Sequence, residues 1–109
     1  MSGAPLEISV QDLKEARDSG GDLVVLDVRE PWELDVARLD GTLDIPMNEI
    51  PDRLDELPKD KPLAVLCRSG ARSLKVTHYL RANGFAKVSN IAGGILAWGA
   101  AYDPRMARY

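Results

Sequence analysis

Two short runs of the chain, 23–28 and 63–66, are almost continuously apolar. Continuous rather than alternating apolar character is typical of strands covered on both faces, as in a parallel sheet. Weaker strand signals, each short and bounded by turn-forming residues, occur at 8–10, 43–45 and 86–91. The pattern therefore predicts five strands, with 23–28 and 63–66 in the centre of the sheet.

Helical spacing of apolar residues fills the segments between these strands. Ser9 with Asp12 three residues later resembles a capping box, which predicts a helix that ends near residue 19, before two glycines. A second helix is predicted over 49–57, where Pro58 ends it, and a third over 71–83, where Gly84 allows a left-handed stop. A fourth helix is predicted to begin near Gly94.

Strands that alternate with helices along the whole chain imply βαβ units. The predicted fold is therefore α/β: one domain over 1–109, with a sheet of about five mainly parallel strands flanked by helices on both faces. The length of 109 residues suits a single domain.

Composition excludes several kinds of function. One Cys and one His are too few for an internal disulfide or a zinc site, so we expect no metal and no cofactor. With 17 acidic and 14 basic residues, the chain lacks the basic surface of a protein that binds nucleic acid or an anionic membrane. No apolar segment approaches the roughly 20 residues that span a bilayer. We expect a soluble, cytoplasmic protein.

The segment after the second central strand carries the strongest chemical signal. It reads Cys67, Arg68, Ser69, Gly70, Ala71, Arg72, Ser73, and it leads from the strand into the third predicted helix. Such a turn directs several backbone N–H groups at one point, and the two arginines add positive charge. An ordinary thiol with a pKa of about 8.5 is only about 3% ionised at pH 7, whereas these groups would favour the thiolate. Cys67 is thus a candidate nucleophile.

Three alternatives to this interpretation are disfavoured. A lone Cys at a strand end is often a small buried hydrophobic residue, but a loop with two Arg, a Gly and two Ser is poor core material. His78 would lie roughly 10 Å along the helix from its start, too far to form a Cys–His dyad easily. The acidic residues of 30–40 and 52–60 are irregularly spaced, which predicts solvent-exposed faces rather than a paired-carboxylate site.

The chain resembles a single-domain rhodanese, of the thiosulfate sulfurtransferase family. The resemblance rests on segments 26–33, 45–46, 67–73 and 93–98, which occur in family order across nearly the whole chain. It implies that the Cys67 thiolate takes the outer sulfur of a donor such as thiosulfate, or of a persulfide, and passes it from a persulfide to cyanide, a thiol or a carrier protein. It also implies that residues 68–73 bind the sulfur and the anionic donor. Asp27 and Arg29 would support the site from the neighbouring strand end.

Phosphatases of similar fold place five residues between the Cys and the Arg of their loop, whereas four separate Cys67 from Arg72 here. The shorter loop favours a sulfur atom over a phosphate, so we expect negligible phosphatase activity, and a Cys-dependent phosphatase or arsenate reductase is the weaker alternative. A non-catalytic binding module on the same scaffold is a further alternative.

The region 37–42 and Leu66 depart from common family sequences, which leaves acceptor preference open. The C-terminal region is similar to rhodanese modules joined to adenylyltransferases, which suggests a ubiquitin-like sulfur-carrier protein as acceptor. Because the chain has one Cys, no second thiol can resolve a persulfide internally, and the sulfur must leave to an external partner.

Overall fold

The computed structural model describes residues 4–109 and contains one parallel sheet of five strands. The strands lie in the order β1-β5-β4-β2-β3. Their bounds are β1 Glu7–Ile8, β2 Val24–Asp27, β3 Leu43–Asp44, β4 Leu63–Leu66 and β5 Val88–Ile91. The predicted α/β class, the strand count and the central position of the two apolar runs are confirmed.

Four α-helices cover the sheet: α1 Val10–Asp18, α2 Pro31–Val36, α3 Ala71–Ala82 and α4 Gly94–Tyr102. The capping box at Ser9 is present, since its hydroxyl accepts from the Asp12 N–H at 3.0 Å and the Asp12 carboxylate accepts from the Ser9 N–H at 3.1 Å. None of the helices within 4–109 is long and apolar enough to cross a membrane.

The central strand β4 supplies side chains to both faces of the sheet. Leu63 and Val65 pack in the core on one face with Val76 and Leu80 of α3. Ala64 and Leu66 pack in the core on the other face, which also contains residues of α1 and α4. Burial on both faces explains the continuous apolar run in this strand, and the prediction of helices on both faces is confirmed.

The prediction of an α-helix over 49–57 is wrong. Two 3₁₀ helices, Met47–Asp52 and Leu54–Glu56, occupy the region instead. Pro51 lies within the first of them and has no N–H to donate, while the N–H groups of Arg53 and Leu57 bond to carbonyls three residues back. Apolar spacing alone did not reveal this interruption.

Other boundaries also differ from the predictions. The first strand ends at Ile8, because Ser9 caps α1 and Val10 is already helical. The fifth strand begins at Val88 rather than at 86. Helix α2 was not predicted, since its six residues are too few to show a helical period.

Candidate functional site

The carboxyl ends of β2 and β4 lie side by side and bring two polar segments together. Asp27 pairs with Leu66 in the parallel register, and the N–H of Val28 donates to the Leu66 carbonyl at 3.0 Å. Cys67 follows Leu66 directly, and Arg29 follows Asp27 two residues later. The 67–73 loop and the segment that carries Asp27 and Arg29 therefore meet at one edge of the sheet.

The thiol of Cys67 is enclosed by the turn that leads into α3. Cys67 is 1% exposed, and its Sγ accepts hydrogen bonds from the Gly70 N–H at 3.0 Å and from the Ser73 hydroxyl at 3.2 Å. Gly70 has a φ of +105°, a conformation that favours glycine, and it lets the chain turn into the helix at Ala71. This loop thus directs donors at one sulfur atom.

Burial and hydrogen bonding act in opposite directions on this thiol. Burial raises the pKa of Cys67, because it disfavours the charged form. Hydrogen bonds from the Ser73 hydroxyl and from the backbone N–H groups of Ser73, Gly70 and Ser69 lower it, and together they prevail. The net result is a thiol whose pKa lies below its ordinary value, which increases the thiolate fraction at neutral pH.

The first turn of α4 holds the start of the same loop. The N–H of Ile95 donates to the Cys67 carbonyl at 2.9 Å, and the N–H of Leu96 donates to the Arg68 carbonyl at 3.1 Å. A Cβ on Gly94 would lie 2.5 Å from both carbonyl oxygens. The approach of α4 to the loop therefore requires glycine at position 94.

Arg72 is paired with a carboxylate from the region 30–40, for which the sequence predicts solvent-exposed acidic residues. Its Nη1 and Nη2 each donate at 2.7 Å to one oxygen of Glu33, which is 2% exposed, so the predicted exposure is wrong for Glu33. The two hydrogen bonds from Arg72 lower the pKa of Glu33 to about 2, against an opposing effect of burial. The same contact raises the pKa of Arg72. The charge of Arg72 is thus compensated within the protein.

Asp27 and Arg29 form an ion pair with both side chains fully buried. Arg29 donates to both carboxylate oxygens of Asp27 and also to the main-chain oxygens of Glu33 and Ala37. The pair therefore fastens helix α2 to the end of β2. Its hydrogen bonds reach α2 rather than the Cys67 thiol.

Tyr109 also lies at this site, which the sequence gave no reason to expect. Its hydroxyl accepts from Arg29 Nη1 at 2.9 Å and donates to Glu33 Oε1 at 2.8 Å. Arg68 lies 5.3 Å from the Tyr109 ring centroid and donates through Nε to the main-chain oxygen of Tyr109. The exposed Trp32 ring packs edge-to-face with the Tyr109 ring, with 5.7 Å between the ring centroids. Side chains distant in sequence thus converge beside the Cys67 loop.

The side chains of the remaining candidates lie apart from these contacts. Ser69 and Ala71 are exposed on the loop and at the start of α3, and His78 is exposed farther along that helix. Over the described residues 4–109, no group of three or more His, Cys, Asp or Glu side chains is arranged to hold a metal ion.

Comparison with known proteins points to one family. The model of the family described as "Rhodanese-like domain" matches residues 9–101. The chain is similar to a sulfurtransferase of Allochromatium vinosum, at 38% identity over 92 residues that cover 84% of this chain and 86% of that protein.

Two further similarities extend the comparison. The probable adenylyltransferase/sulfurtransferase MoeZ of Mycobacterium tuberculosis is 34% identical over 104 residues, which cover 94% of this chain and 26% of that protein. The crystal structure of a rhodanese-related protein from Thermoplasma volcanium superimposes with a TM-score of 0.82 at 32% identity, covering 90% of this chain and 94% of that one.

Proposed function

Because the chain belongs to the rhodanese-like domain family, we propose that it is a sulfurtransferase in which Cys67 carries the transferred sulfur as a persulfide. Relatives named sulfurtransferase support a sulfurtransferase or sulfur-carrier role. One observation carries the assignment to Cys67. Its sulfur, just after the end of β4, accepts hydrogen bonds from the Gly70 N–H and the Ser73 hydroxyl.

In the first half-reaction, the Cys67 thiolate attacks the outer sulfur of a donor such as thiosulfate. A new S–S bond forms, the S–S bond of thiosulfate breaks, and sulfite leaves with the electron pair. The product is a Cys67 persulfide anion. The N–H groups of 68–73 and the Ser73 hydroxyl donate hydrogen bonds to that anion. The N-terminus of α3 adds its partial positive charge.

In the second half-reaction, a nucleophilic acceptor attacks the outer sulfur of the persulfide. With cyanide, a C–S bond forms, the S–S bond breaks, and the electron pair returns to Cys67 as thiolate while thiocyanate leaves. The chain has one Cys, so no second thiol of its own can take the sulfur. The acceptor is therefore external: cyanide, a small thiol or a sulfur-carrier protein. The similarity to MoeZ, whose name joins adenylyltransferase and sulfurtransferase, favours a carrier protein as the natural acceptor.

The test compares wild type, Cys67→Ser and His78→Gln in thiocyanate formation from thiosulfate and cyanide. We expect turnover to disappear in Cys67→Ser and to persist in His78→Gln, because His78 is exposed outside the loop. After incubation with thiosulfate, intact-protein mass spectrometry should show one added sulfur on wild type and none on Cys67→Ser. Equal turnover in wild type and Cys67→Ser would refute sulfur transfer through this residue and favour a binding module.

A further inference from the structure

We propose that Glu33 is a specificity-determining residue that cancels the charge of Arg72 and so disfavours doubly charged sulfur donors relative to singly charged ones. The inference rests on the proposed sulfur transfer, because it concerns which donors reach Cys67. It assigns a role to a carboxylate outside the 67–73 loop.

The geometry of the pair makes Glu33 a fixed partner rather than an occasional one. Both of its carboxylate oxygens accept from Arg72 at 2.7 Å. Glu33 Oε2 also accepts from the Glu30 N–H at 2.8 Å, and Oε1 accepts from the Tyr109 hydroxyl at 2.8 Å. Four hydrogen bonds thus hold this carboxylate in one position at the start of α2.

The two partners differ in their access to solvent. The Glu33 side chain is 3% exposed, whereas that of Arg72 is 33% exposed. Of the two partners, Arg72 is therefore the one that an incoming anion can reach, and a buried negative charge lies 2.7 Å from two of its guanidinium nitrogens. A positive charge compensated at contact distance attracts a distant anion only weakly. The attraction that Arg72 would exert alone is largely removed.

This arrangement affects donors in proportion to their charge. Thiosulfate is a dianion, whereas methanethiosulfonate has the same reactive S–SO₂ unit and a single charge. Removing the negative charge of Glu33 leaves the charge of Arg72 uncompensated, so the net charge that a donor meets is more positive by one unit. The added charge benefits the dianion twice as much as the monoanion, so the ratio of the two kcat/KM values isolates the effect.

The experiment measures thiocyanate formation with each donor in wild type, Glu33→Gln, Arg72→Gln and the double variant at low salt. We expect the thiosulfate-to-methanethiosulfonate ratio of kcat/KM to rise about threefold to fivefold in Glu33→Gln, the size expected for one unit charge about 4–6 Å away in a water-like medium. It should fall in Arg72→Gln, where Glu33 is uncompensated, and return near the wild-type ratio in the double variant. Near 1 M salt the differences should shrink, because the Debye length is then about 3 Å.

Asp35→Asn is the matched control, because Asp35 is an exposed carboxylate on the same helix α2. Its ratio should equal that of wild type. If Asp35→Asn shifts the ratio as much as Glu33→Gln, or if Glu33→Gln changes both donors equally, the proposal is overturned. Should Glu33→Gln fail to fold, Arg72→Gln decides, since a ratio in that variant equal to or above the wild-type ratio also refutes the proposal.

These outcomes are separable from failure of the proposed function. Loss of turnover in Cys67→Ser establishes that the measured reaction depends on the thiol, whatever the donor ratios show. Turnover that survives in Cys67→Ser refutes the function itself. A ratio unchanged in Glu33→Gln, with turnover that still depends on Cys67, refutes only the role of Glu33.

Discussion

At the scale of single residues, Cys67 is nearly fully buried yet has a lowered pKa. Burial alone would raise the pKa, as it does for inert cysteines in protein cores. Donors directed at the sulfur reverse that effect, and the one side-chain donor among them is the Ser73 hydroxyl, which is itself fully buried. Ser73 is therefore the residue through which the thiol's acidity can be changed without touching the backbone.

We expect Ser73→Ala to raise the pKa of Cys67, because it removes the one side-chain hydrogen bond that favours the thiolate, and a hydrogen bond to a charged group contributes about 1.5–3 kcal/mol. The pH dependence of alkylation by iodoacetamide measures it: the midpoint should move to higher pH. Ser69→Ala is the control, since the backbone N–H of Ser69 acts on the thiol and is retained in the variant. A midpoint that does not move in Ser73→Ala, or that moves equally in both variants, would contradict this account of the thiol.

At the scale of elements, the turn after β5 determines how closely α4 approaches the Cys67 loop. Gly94 has a φ of +58°, and its Cα faces the carbonyl oxygens of Cys67 and Arg68. Gly41 has a similar φ of +73°, but a Cβ there would meet nothing within 4 Å. The two positions share the backbone conformation and differ in crowding, which makes them a matched pair.

Gly94→Ala should therefore destabilise the protein more than Gly41→Ala, by about 1–3 kcal/mol, because the added methyl group overlaps the loop backbone. It should also lower kcat/KM for sulfur transfer by roughly tenfold or more, since a small displacement of a reacting group is costly. Urea unfolding and thiocyanate formation measure the two effects. Equal losses of stability and activity in both variants would show that the conformation, not the contact, matters at position 94.

The elements also show what could be predicted from the sequence. The apolar runs at 23–28 and 63–66 identified the central strands, and the family resemblance placed Asp27 and Arg29 at the strand end beside the Cys67 loop. Helix α2 was too short to show a period, and Pro51 converted a predicted α-helix into 3₁₀ turns. Because that helix was missed, nothing in the sequence indicated that Glu33 would be buried against Arg72.

At the scale of the whole molecule, Glu33 joins parts of the chain that are far apart in sequence. Its carboxylate contacts Arg72 of α3 and Tyr109, while its main-chain oxygen accepts from Arg29. Tyr109 in turn contacts Arg29, whose side chain is paired with Asp27 at the end of β2. One ionised carboxylate thus links α2, α3, the segment after α4 and the edge of the sheet.

This linkage predicts a dependence of stability on pH. The pKa of Glu33 falls from its ordinary value of 4.5 to about 2 in the folded protein, chiefly through Arg72. A depressed carboxylate pKa stabilises the fold above the unfolded value and loses that contribution as pH falls through the folded value. The stability that wild type has over Glu33→Gln should therefore be fully present near pH 7 and decrease between about pH 5 and pH 2.

Urea unfolding of wild type, Glu33→Gln and Glu56→Gln across this pH range measures the effect. Glu56 also pairs with an arginine, Arg53, but both side chains are exposed at 44% and 33%, so solvent screens that pair. The slope of the free energy of unfolding against pH reports how many more protons the unfolded state binds than the folded state. We expect this number to fall by up to about one in Glu33→Gln and to change little in Glu56→Gln. Parallel curves for wild type and Glu33→Gln from pH 7 to pH 2 would mean that the carboxylate does not hold these segments together as an ion.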